Sequence, residues 1–315
     1  MRSDDLVSVV VPLHNKANFI LRCMTSVLKQ SYKNLEVIVV DDGSTDRGAA
    51  LVRAIGDSRI RCVSQNNRGV SVARNVGVEL STGGWVFFLD ADDVWDSEMV
   101  AQMVALARRC PRAAIVASLT TRVFGNGRRI CESLSDKDYE TGTEYLDDYF
   151  LSFARMGQSP FSNSSWAVQK SAFVGIGGYA AGVRLTEDSD LWVRLALTSR
   201  IAMSNLAHAS YFVEADGNTR TVDQREPFKV IETLAAIVID RKVRQQTRQS
   251  AKALLRLQKL VQIRRHVLLG SRRWALEKLL DPDVWRGYPF QSAIALMASL
   301  CPPFVVAGIR KLQRG

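Results

Sequence analysis

Within its first hundred residues the chain four times runs through a short, mostly apolar stretch and then turns abruptly polar. Val7–Leu13 gives way to His14-Asn15-Lys16, Leu35–Val40 to Asp41-Asp42, Ile60–Val63 to Gln65-Asn66-Asn67-Arg68, and Trp85–Leu89 to Asp90-Ala-Asp92-Asp93. Runs rich in β-branched and aromatic residues read as strands buried on both faces, as in a parallel sheet covered by helices. Between them the apolar spacing changes to that of helices. Phe19, Ile20, Met24, Val27 and Leu28 recur at helical intervals up to Gln30, an Ala/Leu/Val-rich stretch continues to about Ile55, and another segment runs through Leu80. A further helix is predicted from a cap at Asp96 or Ser97 to about Arg109.

Strands alternating with helices require right-handed crossovers and a doubly wound α/β sheet, whose ligands bind beyond the carboxyl ends of the strands. The four polar segments therefore share one edge. Alone, Asp90-Ala-Asp92 has two readings. Aspartates cap helices and turns by accepting from free backbone N–H groups, and paired carboxylates also hold hard divalent cations together with phosphate oxygens. Polar residues after all four strands favour a shared site, and with it the cation reading.

Net charge narrows the ligand. The 315-residue chain carries +10 with a pI near 9.6, which favours anionic partners such as nucleotide phosphates, nucleic acid or an acidic membrane leaflet. Between Arg241 and Arg273 lies a basic run without a single acid. Five dispersed cysteines argue against a disulfide framework or a zinc site and suit a reducing cytosol. The first strand follows the N-terminus with no signal-peptide pattern, and no apolar run reaches the ~20 residues of a spanning helix. Ala293–Ile309 comes nearest, and Pro302-Pro303 interrupts it. Gly-x-Gly-x-x-Gly after the first strand and the P-loop are both missing, so a nucleotide must be held by side chains and a cation.

Four blocks together carry a family resemblance. Val9-Val-Val-Pro12 with Asn15, Val40-Asp-Asp42-Gly-Ser-Thr-Asp46, Asn67-Arg-Gly69 with Ala73-Arg-Asn75, and Phe88-Leu-Asp90-Ala-Asp-Asp93 match in order and spacing over about the first third of the chain. They resemble the family 2 inverting glycosyltransferases of GT-A fold, of the bacterial surface-polysaccharide type. The resemblance implies a nucleotide-diphosphate sugar donor, on family grounds a UDP-sugar, with Mn²⁺ or Mg²⁺. It implies that Asp42 contacts the base while Pro12 and Asn15 shape its pocket. Asp90, Asp92 and Asp93 form the acidic motif, with Asp92 favoured for the metal and Asp90 for the ribose side or a second metal contact. Arg74 either approaches the diphosphate or is a helix-surface arginine paired with Glu79 or solvent.

Further along, Ala113–Phe124 and Phe161–Val168 are expected strands, Lys170–Val174 a short helix and Gly175–Tyr179 a tight bend. Thr186-Glu187-Asp188-Ser189-Asp190 then opens an apolar-faced helix. Acids in a first turn complement the helix dipole, but an acceptor hydroxyl also needs a carboxylate to take its proton. Glu-Asp after a Gly-Gly-Tyr bend looks like the family's Glu-Asp motif, which implies Asp188 as base, Glu187 as its structural partner and Asp190 as a surface or capping residue. The chain departs from the family after the next strand, where Tyr211-Phe-Val-Glu-Ala-Asp-Gly-Asn218 has Val213 and Ala215 in place of the usual arginine and histidine. Asp216 or Glu214 could substitute, or Asp92, diphosphate and water could suffice. His208 reads as a packed histidine.

The organisation expected is a nucleotide-sugar half at 1–110, an acceptor half at 111–222 and a helical region at 223–315. In the last, basic helices over Val230–Val243 and Ala251–Leu269 present a solvated cationic face or a membrane-docking one. Trp274, Trp285, Tyr288 and Phe290 beside an apolar segment fit either peripheral membrane contact through 241–315 or core packing. The function expected is transfer of a sugar to a glycan or lipid-linked saccharide in the cytoplasm, at the inner face of the membrane, with no nucleic-acid partner. The alternatives are a non-catalytic basic protein holding glycan or nucleic acid on a transferase fold, which the edge carboxylates oppose, and a sugar nucleotidyltransferase, which lacks its Gly-rich basic loop.

Overall fold

The computed structural model describes residues 5–131, 133–213 and 226–300. Glu214, Ala215, Asp216, Asn218, Pro302-Pro303 and Ile309, all named above, lie outside these residues.

The first half follows the alternation of the sequence. β1 (Val7–Leu13), α1 (Ile20–Leu28), β2 (Leu35–Asp42), α2 (Gly48–Arg53), β3 (Ile60–Gln65), α3 (Val70–Leu80) and β4 (Trp85–Phe88) build a parallel sheet in the order β3-β2-β1-β4. Its register explains the continuous apolar runs. Val9, Val11, Val39, Phe87 and Leu89 pack on one face against α1 and α4 (Met99–Arg109), while Val10, Val86 and Phe88 pack on the other. Glycine sets one helix close to the sheet: a Cβ on Gly77 of α3 would stand 2.3 Å from Cγ1 of Val10.

After the two-residue β5 (Val94–Trp95) the chain returns with β6 (Ala113–Phe124), β7 (Arg129–Cys131), α5 (Tyr149–Met156), β8 (Trp166–Gln169), α6 (Lys170–Gly175), α7 (Glu187–Thr198) and β9 (Arg200–Val213). β8 inserts between β4 and β6, antiparallel to both, β9 runs parallel to β6, and β5 pairs antiparallel with β9. The result is one mixed α/β sheet whose β3-β2-β1-β4 half is wholly parallel, the fold class expected.

Two boundaries are corrected. The strand expected over Phe161–Val168 begins only at Trp166, because Ser162 and Ser165 close a turn on each other, Ser162 N donating to Ser165 Oγ and Ser165 N to the Ser162 carbonyl. α4 has Glu98 at its N-cap position, and Asp96 acts one step earlier by accepting from Glu98 N at 2.9 Å.

Beyond the sheet come α8 (Lys229–Ile239), α9 (Gln245–Leu268), α10 (Arg272–Leu279), α11 (Pro282–Gly287) and α12 (Pro289–Leu300). α9 buries Leu254 and Leu257 against the sheet-side core and Leu260, Ile263 and Val267 against α10–α12. No helix among the described residues is long and apolar enough to cross a membrane.

Candidate active site

The polar strand ends converge on one cavity of about 2050 Å³. Pro12, Asn15, Asp42, Arg74, Asp90, Asp92, Asp93, Glu187 and Asp188 all reach its wall, so residues up to 176 positions apart in sequence share a single space.

The β1 and β2 ends are locked together by short-range hydrogen bonds. Asn15 adopts a left-handed backbone (φ 51°), which asparagine tolerates better than most residues, and its Oδ1 accepts from Thr45 N at 2.8 Å. The Nδ1–H of His14 donates to the Asp42 carbonyl at 2.9 Å. Asp42 is buried and its carboxylate accepts from Gln65 Nε2 (2.7 Å) and from the backbone N–H groups of Arg68 and Gly69 (2.8 Å each). It thus fixes the Asn67–Gly69 loop at the cavity edge, and Oδ2 keeps one lone pair for a ligand.

Arg74 is not the helix-surface residue allowed by one reading of the sequence. Only 3% exposed, it donates from Nη2 to Asp90 Oδ1 (2.7 Å) and from Nη1 to Glu187 Oε1 (3.3 Å). Burial works against its charge, but Asp90 first, then Tyr179 and Glu187, hold the guanidinium above its ordinary value. Asp92 is paired as well, its Oδ2 lying 2.5 Å from Lys16 Nζ. Both carboxylates remain open to the cavity, with side chains 29% and 26% exposed. Asp93 differs: it is buried, accepts from Ser164 Oγ (2.5 Å) and Phe212 N (3.3 Å), and burial followed by the charge of Asp90 pushes its carboxyl well above the usual range.

From its first turn α7 presents Glu187 and Asp188 to the same cavity. The preceding Thr186 sits at φ 59°, a left-handed conformation unusual for a β-branched residue and a local store of strain. Burial and then Asp188 push Glu187 up to about 7, against the pull of Arg74. Burial also raises Asp188, opposed chiefly by the hydrogen bond from Ser189 N at 2.6 Å. Asn163 Nδ2 stands 3.5 Å from Asp188 Oδ2, and Tyr179 OH orients Asn163 by donating to its Oδ1 (3.0 Å). Asn75 in turn clamps the backbone of Tyr179, accepting from its N–H and donating to its carbonyl.

Asp190, expected at the surface, is buried. It accepts from Arg194 Nε at 2.9 Å and from the Thr233 hydroxyl, while Arg194 donates to the carbonyls of Ile176 and Gly178. Its place is to staple the glycine bend and α8 to α7. His208 pairs its Nδ1 with Asp96 (2.8 Å), away from the acidic motif.

Sequence reasoning missed Lys16, Arg22, Asn163, Ser164 and Phe212. Ser164 ties the site together, its Oγ accepting from Asp90 N and its carbonyl from Trp95 Nε1. The signal was present in the polar run Ser162-Asn-Ser-Ser165 just before a strand. Only the antiparallel pairing of β8 with β4, Phe87 opposite Ala167, places that run beside Asp90.

Asp90 and Asp92 offer hard oxygen donors, and among the described residues no third His, Cys, Asp or Glu joins them in a metal-binding group. Two carboxylates open to one cavity are a donor set that hard divalent cations such as Mg²⁺ or Mn²⁺ accept, with ligand oxygens and water in the remaining positions.

Residues 8–159 match the model of glycosyl transferase family 2. A segment of 102 residues is 39% identical to the glycosyltransferase GlyA of Streptococcus pneumoniae, covering 32% of this chain and 15% of that one. Another of 101 residues is 36% identical to the Escherichia coli protein WfaP, named a UDP-Glc:alpha-D-GlcNAc-diphosphoundecaprenol beta-1,3-glucosyltransferase, covering 32% and 40%. The chain thus spans well under half the length of these curated relatives. In fold it is similar to Staphylococcus aureus TarS 1–349 solved with UDP-GlcNAc, at a TM-score of 0.63 and 19% identity over 82% of this chain and 72% of that one. The same protein with UDP gives 0.56 and 19% over 91% of each chain.

Proposed function

We propose, from the match of residues 8–159 to the model of glycosyl transferase family 2, that the chain is an inverting glycosyltransferase moving a sugar from a UDP-sugar to a hydroxyl of a glycan or lipid-linked saccharide. One observation carries the reading: Asp90, Asp92, Glu187 and Asp188 line one cavity, and Arg74 joins the two pairs through Asp90 and Glu187. A donor needs a leaving-group site and an acceptor needs a base, and the cavity supplies both.

Asp188 is the base. Raised by burial above the usual carboxylate range, it is better matched to a proton transfer near neutral pH than a solvated aspartate. In a single displacement an Asp188 carboxylate oxygen takes the proton of the acceptor hydroxyl as the acceptor oxygen bonds to the anomeric carbon and the bond from that carbon to the diphosphate oxygen breaks. Asn163 and Ser189 N aim the carboxylate, and Glu187 is held beside it by Arg74. Asp42, Pro12 and Asn15 border the base pocket, and Arg74 stands between Asp90 and Glu187 where it meets the diphosphate. When bound, Mn²⁺ or Mg²⁺ at Asp92 and Asp90 would offset the charge of the leaving diphosphate. On this reading residues 1–110 serve the donor and 111–222 the acceptor.

A lipid-linked acceptor calls for a membrane-proximal enzyme, and the C-terminal helices support that. Leu280 and Phe290 are 80% and 74% exposed, Met297 and Leu300 are also exposed, and Leu280 shares a groove with Arg273 and Arg286. Exposed apolar side chains with arginines beside one of them suit an anionic bilayer surface. Part of the basic run is used internally, since Lys252 and Arg256 pair with Asp283 and Lys259 with Asp281.

The reading is tested by UDP release from UDP-sugars in the presence of lipid-linked saccharide, comparing the wild type with Asp188→Asn. The variant should lose about 10²–10⁴-fold in turnover while binding UDP as before. Retention of full turnover overturns Asp188 as base.

A further inference from the structure

The two open carboxylates of the donor wall are each already paired with a cation of the chain, and the two cations differ in kind. Arg74 is a buried, planar fork bonded to both Asp90 and Glu187, so it cannot leave without stranding one of them. Lys16 makes a single contact, to Asp92 Oδ2 at 2.5 Å, from the end of a flexible stem. Everything around that contact is fixed. The Lys16 carbonyl accepts from Phe19 N and Ile20 N (3.0 Å each) as α1 begins. The Asp92 carbonyl is held by Arg22 Nη2 at 2.7 Å, Arg22 is stacked 3.8 Å from the Phe212 ring centroid, and Phe212 N donates to Asp93. Neither backbone can withdraw. The Lys16 ammonium can, because the Phe19 ring centroid lies 5.6 Å from Nζ and offers a second resting surface.

From this arrangement we infer that Lys16 is an internal counter-ion that occupies Asp92 until the donor arrives and is then handed to the donor diphosphate. The inference rests on the reading of Asp90 and Asp92 as the donor's cation site. A bare divalent ion approaching Asp92 meets an ammonium already on the oxygen and brings no anion to receive it, leaving only the Phe19 ring. A divalent ion accompanied by diphosphate brings new anionic oxygens, so Lys16 exchanges one partner for another. Cation and donor therefore bind as a unit, and each strengthens the other. Lys16 acts here as a positioning residue.

The test is thermodynamic and needs no turnover. Mn²⁺ binding to the whole protein is measured by the electron paramagnetic resonance of free Mn²⁺, with and without UDP, for the wild type, Lys16→Met and Lys16→Arg. In the wild type Mn²⁺ should bind weakly alone and markedly more tightly with UDP. Lys16→Met should tighten Mn²⁺ binding without UDP about tenfold and lower the UDP–Mn²⁺ coupling by a similar factor, a change within the usual range of coupling between sites. Lys16→Arg, which keeps the charge, should stay close to the wild type. Lys16→Gln repeats the measurement if the methionine variant fails to fold. Unchanged or weaker Mn²⁺ binding by the neutral variants, with the wild type binding both ligands, overturns the counter-ion role alone. Failure of the wild type to bind Mn²⁺ with UDP overturns the donor-site reading and this inference with it.

Discussion

Replacing Arg74 with methionine removes the guanidinium that links Asp90 to Glu187. The side chain is buried and of similar length, so the change deletes charge with little loss of volume. Breaking a buried pair from one side typically costs about 3–5 kcal/mol. Here the stranded partners keep some water, Asp90 being 29% and Glu187 14% exposed, which lowers the expected loss to about 2–3 kcal/mol at pH 7.5. The loss should depend on pH with a definite sign. Glu187 already titrates up at about 7 with Arg74 pulling it down, and removing Arg74 raises it further. A carboxyl whose folded value exceeds its unfolded one binds more protons when folded, so stability falls as pH climbs between those two values. Below the unfolded value near 4.3 the effect vanishes, and integrating between pH 5.5 and 7.5 gives roughly 0.5–1 kcal/mol by which the variant's deficit shrinks on acidification. Urea unfolding followed by tryptophan fluorescence at the two pH values measures both quantities. A deficit under about 1 kcal/mol at pH 7.5, or one that grows at pH 5.5, refutes the bridging role.

Other outcomes follow from the same geometry. The pH profile of kcat/KM for sugar transfer should have an acid limb at higher pH than a solvated aspartate gives, because burial raises Asp188; a limb no higher than that of a solvated aspartate would contradict this. Gly77→Ala places a methyl 2.3 Å from Cγ1 of Val10 and should cost about 1–3 kcal/mol of stability, partly recovered by Val10→Ala in the same chain. No recovery in the double variant argues against the contact. Leu280→Asp with Phe290→Ser should abolish co-sedimentation with vesicles containing phosphatidylglycerol while leaving UDP binding intact, and equal sedimentation of both proteins removes the membrane proposal.

Much of the donor side was legible because its chemistry is local. Each of β1 to β4 ends in polar residues a few positions on, and a parallel sheet carries all such ends to one edge by topology alone. What could not be read depends on contacts between distant segments. Arg74 looks like any helix arginine until α3 is pressed onto the sheet through Gly77, which turns the residue one turn earlier toward Asp90. Asp190 has the spacing of a capping acid, and only the approach of α8 with Thr233 buries it. Lys16 and Asp92 are 76 positions apart, and neither has a neighbour in sequence that betrays the other.

The antiparallel insertion of β8 limits how such enzymes can be recombined. The stretch shared with the curated relatives is about one hundred residues, and the family match ends at residue 159, before β8 begins. Yet β8 is what pairs with the outer edge of β4 and carries Ser164 to Asp90. A chimera joined at residue 110 that lacked an equivalent returning strand would leave β4 with a bare row of N–H and C=O groups, an invitation to aggregate. Acceptor halves can therefore be exchanged for new specificity only if the incoming segment supplies a strand of the same direction, headed by a small hydroxyl residue at the position of Ser164.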